Sequence, residues 1–144
     1  MQAPLYQRIA LALLRIVAAG IIMQHGVQKL FGLLGGVNGQ GGTVQLASQF
    51  GLAGILETFV ALLVLVGLFT RPAAFILSGE MAVAFFQAHF PQAFWPIENR
   101  GEVPVLLCFI FLFFAAFGAG SFSLDALLAR KADSRSAERS ISAA

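Results

Sequence analysis

Four stretches of the chain are nearly unbroken runs of apolar residues, at residues 9–31, 51–69, 72–90 and 104–121. None alternates apolar and polar positions with the period of two that a half-buried strand needs. Each is close to the ~20 residues an α-helix requires to cross the hydrocarbon core of a bilayer. In lipid, only helices and closed barrels satisfy their own backbone, and runs without alternation exclude the barrel. The pattern therefore predicts an all-α protein, a transmembrane four-helix antiparallel bundle. Pro72 and Pro104 stand where the third and fourth spans begin, in first-turn positions where a missing N–H costs nothing. The Thr70-Arg71-Pro72 link is short enough to make the second and third spans antiparallel neighbours. The stretch GGVNGQGGTVQLASQF, uncharged and rich in glycine, reads as a flexible turn leading into a short amphipathic helix. Val44, Leu46, Ala47 and Phe50 would lie on the membrane interface.

Composition points the same way. Of 144 residues, 58% are hydrophobic, 11% are charged and 15 are Phe, with a mean hydropathy of +0.84. That leaves too few polar side chains to cover a soluble protein, so the lipid bilayer is the first partner expected. The net charge of +2 does not call for nucleic acid as a partner, because much of the basic excess lies in the tail. Arg8, Arg71 and the tail residues Arg130, Lys131, Arg135 and Arg139 all fall on one side of the bundle, which the positive-inside rule makes cytoplasmic. The glycine-rich loop and PQAFWPIENRGEV are then outside, with Trp95 as an interface anchor. Residues 1–128 form a single four-span membrane domain, and residues 129–144 a flexible basic cytoplasmic tail. Arg15 interrupts the first apolar run and no soluble domain follows it, which argues against a cleaved signal peptide. Cys108, the single cysteine, reads as a small buried hydrophobe.

The charges that remain inside the spans carry the candidate chemistry. An ionisable side chain at the centre of a span costs about 3 kcal/mol, so such groups face the bundle interior and pair. The first span holds Arg15, His25 and Lys29, the second Glu57 and the third Glu80, with His89 at its outer end. At about 100° per residue, Arg8, Arg15, Ile22 and Lys29 fall within about 60° of one another, and His25 about 80° from Arg15. At ~1.5 Å per residue, Arg15 and Glu80 lie at depths that differ by about 3 Å, which makes them a candidate structural ion pair. His25, with Lys29 one turn beyond it, matches the depth of Glu57, and Gln87 lies two turns from Glu80 on one face. His25, Lys29, Glu57 and Gln87 are the candidates for binding or proton handling. No metal site is expected. Haem would require two histidines at one depth, whereas His25 lies about 9 Å below the outer surface and His89 close to it. No nucleophile arrangement or phosphate-cradling loop is evident, and no catalytic residue is assigned.

Five pieces recur in a telling order and spacing: LLRIVAAGIIMQHGVQKLFG in the first span, Glu57 in the second, GLFTRPAA at 67–74, the Gly-Glu pair at 101–102, and GAGSFSLDALL at 118–128. By these the chain resembles the DoxX family of small four-span membrane proteins, and the resemblance covers nearly the whole chain. It implies the same bundle, in a bacterial inner (plasma) membrane. The family takes its name from a subunit associated with terminal quinol oxidase and thiosulfate:quinone oxidoreductase, and other relatives resemble membrane partners of thiol and superoxide defence enzymes. An accessory subunit of a membrane oxidoreductase system is thus implied, quinone-linked or acting on thiols or sulfur. A partner enzyme would supply the redox chemistry, and quinone would be the one cofactor, not covalently bound. The alternative is a non-catalytic structural or small-molecule-binding membrane protein. The GAGS region and the small residues of the fourth span allow close helix contact, within one bundle or in an oligomer. Asp125, in the Ser-Leu-Asp ending, would begin or cap a cytoplasmic helical turn.

Overall fold

The computed structural model describes residues 3–142, with side chains to residue 136; Arg139 of the basic tail lies outside the described side chains. All regular elements among the described residues are helical. Helix α1 (Leu5–Phe31) starts behind Pro4 and stops at Gly32, whose φ of 66° is left-handed. At ~1.5 Å per residue it is about 40 Å long. Helix α2 runs over Gln49–Val66 and contains one π-helical turn, Leu56–Val60. Ser48 begins it by accepting a bond from the Gly51 N–H, and Gly67, at φ 73°, ends it. Helix α3 (Thr70–Ala84) continues into a second π-helical turn, Phe85–His89. A short α4 (Pro96–Asn99) precedes α5 (Glu102–Phe117), which ends at Gly118, and α6 covers Leu124–Ser142. Thus α6 takes in the stretch anticipated as a flexible tail.

The glycine-rich connection is built differently from expectation. The one helical element in it is a 3-10 turn, Leu33–Gly35, and residues 44–48 are not helical. Instead the loop closes on itself, with Asn38 Oδ1 accepting from the N–H groups of Gln40 and Gly42, and it ties back to α1 through Val44 N–H to the Lys29 carbonyl at 2.9 Å. Phe50 therefore sits on the first turn of α2. The side-chain acceptor of Ser48 decides where the helix starts, and the residues before it spend their backbone groups on the loop.

One apolar core joins α1, α2, α3 and α5. Ala18, Ala19 and Ile22 of α1 meet Ala61 and Val64 of α2, Ala73, Ala74 and Leu77 of α3, and Phe111 and Phe114 of α5. Alanine at the contacts lets backbones approach closely, and the two phenylalanines fill the space between. The outside of the bundle is apolar too: Leu13, Phe75, Phe109 and Phe117 are exposed, whereas Arg15 and Glu57 are buried. Large apolar side chains outward and ionic ones inward is the inverse of the soluble pattern. Leu5–Phe31 and Gln49–Val66 are each long and apolar enough to cross a membrane, and Glu102–Phe117 is a shorter apolar helix.

Candidate functional site

Glycine positions the first functional side chain. Gly26 of α1 lies against the π turn of α2 so closely that an added Cβ would stand 2.6 Å from the Thr58 nitrogen. Gly54 likewise admits the Lys29 stem, with an added Cβ 3.2 Å from Lys29 Cβ. This close crossing brings Lys29, one turn beyond Gly26, over the π turn, where its Nζ donates to both carboxylate oxygens of Glu57 at 2.5 and 2.6 Å. The pair is largely enclosed, with the Glu57 side chain 5% and the Lys29 side chain 20% exposed. A π turn widens the helix and shifts every later side chain around its face, and such turns recur at functional sites.

Glu80 on α3 completes the cluster. Its carboxyl interacts with that of Glu57, and its Oε2 is buried without a hydrogen-bond partner. The three ionisable groups lie on the wall of a cavity of about 400 Å³ between α2 and α3, otherwise lined chiefly by apolar side chains such as Phe50, Leu56, Ile76 and Val83. Gln87, in the second π turn, closes one end by accepting a bond from Gln49 Nε2. The arrangement offers an apolar slot with a few convergent polar groups, the usual make-up of a small-molecule site. It presents donors in the Lys29 ammonium and the Gln87 amide, and acceptors in the Glu80 carboxyl.

Lys29, Glu57 and Gln87 thus share one cavity, and Glu80 belongs with them instead of with Arg15. The Arg15 guanidinium donates to the carbonyls of Ala119 at 2.5 Å and Phe122 at 2.8 Å, with Asp125 as a favourable charge beyond them. The expected Arg15–Glu80 pair does not form. Depth counted along the backbone ignores that a helical side chain leans toward the N-terminus of its helix. The long arm of Arg15 therefore reaches down to the loop that follows α5. His25 also departs from expectation: it is exposed on α1, near enough to Glu57 for a charge interaction only. His89 is spent on the end of α4, its Nδ1 3.0 Å from the Asn99 carbonyl. Gln49 was not legible as a site residue, because nothing in the sequence marks which glutamine will meet Gln87.

At the opposite end, a polar knot explains the GLFTRPAA and GAGSFSLDALL stretches. Asp125 accepts from the backbone N–H groups of Phe69 and Thr70 at 2.9 and 3.0 Å, and its own N–H donates to the Gly67 carbonyl at 2.8 Å. It caps α3, three elements earlier in sequence, while Ser123 caps its own helix α6 by accepting from Ala126 N–H. Gly67 has no room for a side chain, since an added Cβ would meet Ser123 Cβ at 2.5 Å and Arg15 at 3.0 Å. The two motifs are one structural latch.

With this geometry in place, a family model for DoxX matches residues 10–90, a range that takes in most of α1, all of α2 and α3, and the cluster's Lys29, Glu57, Glu80 and Gln87. An uncharacterised protein of Haemophilus influenzae is 41% identical over 126 residues, which cover 83% of this chain and 91% of that protein. No solved structure matches the chain.

Proposed function

The chain belongs to the DoxX family, and from that premise we propose a four-span inner-membrane protein whose Lys29–Glu57–Glu80 cavity holds the polar head of a quinone for a membrane redox system. The spans in this reading are α1, α2, α3 with its π turn, and α5, with both termini cytoplasmic. The support is the apolar exterior of the bundle and the collection of Arg8, Arg71, Arg130, Lys131 and Arg135 toward one side. The sixteen-residue α5 is short for a span, a mismatch that a bilayer accommodates by local thinning or by the polar ends of the helix snorkelling.

The observation that carries the ligand reading is the gathering of three ionisable groups, Glu57 buried and Lys29 and Glu80 half-buried, on the wall of an apolar cavity between α2 and α3. Charges are kept at such a position at a cost, and pairing alone would need only two of them. The unpartnered Glu80 oxygen leaves the third group a hydrogen-bonding position unused by the protein. A bound quinone supplies the chemistry of carbonyl-to-hydroxyl conversion, taking up two electrons and two protons. The residues here would orient its head: the Lys29 ammonium and Gln87 amide donate to a carbonyl oxygen, and the Glu80 carboxyl accepts from a hydroxyl or gives up its proton. Electrons come from a partner enzyme of thiol or sulfur redox chemistry, for which this chain is the membrane accessory.

The test is purification from native membranes followed by solvent extraction and mass spectrometry. Wild-type protein should carry about one quinone per chain, and Glu80→Gln or Glu57→Gln should lower that several-fold. Wild-type protein free of quinone, or equal loading in both variants, overturns the ligand reading. A redox enzyme that copurifies supports the accessory role, and its absence at unchanged quinone content reduces the protein to a small-molecule-binding one.

A further inference from the structure

A second cavity, of about 550 Å³, lies at the end of the bundle where α1 begins, away from the Lys29 cluster. One side is basic and polar, from Gln7, Arg8, Ser121 and Arg130, and the other apolar, from Leu11 and Phe113. No carboxylate lines it. The Arg8 guanidinium is held in place: its Nε donates to Ser121 Oγ at 2.5 Å, and its Cζ stands 4.9 Å over the Phe122 ring. Among the described side chains the sole ion pair is Lys29–Glu57, so neither Arg8 nor Arg130 has a carboxylate within salt-bridge distance. Two uncompensated guanidiniums thus converge on a cavity whose remaining wall is apolar.

We propose that this cavity binds the phosphodiester headgroup of an anionic phospholipid, with an acyl chain laid along Leu11 and Phe113. Guanidinium forks match phosphate oxygens in pairs, and the ring under Arg8 fixes one fork without neutralising it. The apolar wall distinguishes a lipid from a bare anion, since free phosphate has nothing to bury there. The position fits as well: the cavity lies at the basic end of the bundle, and the cytoplasmic leaflet is the one that attracts clustered Arg and Lys through its anionic headgroups. The inference is independent of the quinone site, with which it shares no residue.

Native mass spectrometry of the full chain, released from micelles doped with equal phosphatidylglycerol and phosphatidylcholine, tests it. Wild-type protein should retain the anionic lipid preferentially, and Arg130→Gln should cut that preference about fivefold, the loss expected for one basic contact at a membrane surface. The Arg130 side chain donates no hydrogen bond to the rest of the described chain, so this variant should melt like wild type. Arg8→Gln should cut the preference similarly, and Arg8→Lys should restore part of it. Equal retention of the two lipids by wild type, or an unchanged preference in both glutamine variants, overturns the proposal. Loss of the preference in millimolar inorganic phosphate, but not in sodium chloride of equal ionic strength, assigns the site to free phosphate and overturns the lipid.

Discussion

Replacing Lys29 by Met should destabilise the bundle far more than its position near the end of α1 suggests. The substitution keeps length and apolar volume but removes the ammonium, and Glu57, 5% exposed, loses two bonds of 2.5 and 2.6 Å at once. Stranding one member of a buried ion pair costs about 3–5 kcal/mol. The 20% exposure of the Lys29 side chain admits some screening and places the expected cost at the low end, about 3 kcal/mol. That corresponds to about a hundredfold in the folding equilibrium. Glu57→Leu should cost less, about 2 kcal/mol, because a stranded lysine can swing its flexible arm toward the cavity mouth. The double variant, with an apolar pair in place of an ionic one, should cost no more than Lys29→Met alone. The assay is reversible unfolding in mixed micelles followed by circular dichroism, arranged as a double-mutant cycle. A cost below about 1 kcal/mol for Lys29→Met would place the pair with solvent-screened surface bridges and refute its burial. Additive single effects would refute the coupling.

Three further outcomes follow from other parts of the fold. Gly26→Val should cost about 1–3 kcal/mol by overpacking, because the new side chain meets the backbone of the α2 π turn instead of a yielding side chain; the same micelle assay measures it, and wild-type stability would mean the crossing is looser than described. Asp125→Ala should cost about 1–2 kcal/mol, since the Phe69 and Thr70 N–H groups lose their acceptor, and Asp125→Asn should recover part of that; amide exchange should rise first at Thr70. For topology, single cysteines at Gln40 or Ser134 in a Cys108→Ala background should label oppositely with a membrane-impermeant maleimide, Gln40→Cys in intact cells and Ser134→Cys only after permeabilisation. Labelling of both, or of Ser134→Cys alone, in intact cells overturns the proposed orientation.

Much of the site was legible because it rests on local rules. Apolar runs mark the helices, and an ionisable or amide side chain inside such a run is conspicuous, so Lys29, Glu57, Glu80 and Gln87 stand out without any structure. Pairing was less legible. Counting residues from a helix end locates a Cα but not the tip of a long arm, and Arg15 went to backbone carbonyls of the loop after α5 while Glu80 joined Lys29 and Glu57. His25 shows the same limit in angle: it lies on the helix that carries the cluster, but on a face that turns outward. The two π turns have no signature in the sequence, because an extra residue in a helical turn leaves composition and apolar period nearly unchanged.

The sequence by itself determined that this chain is all-helical, that its helices suit lipid, and which polar residues are costly enough to need partners. Those properties depend on transfer free energies and helical period, which are local and additive along the chain. Only the tertiary structure decided who those partners are. It set Gly26 against Thr58, opened the cavity beside Glu80, and bent the chain after α5 so that Asp125 caps a helix begun 55 residues earlier. Contacts of that kind depend on how helices cross and where a turn widens, and a sum over neighbouring residues does not contain them.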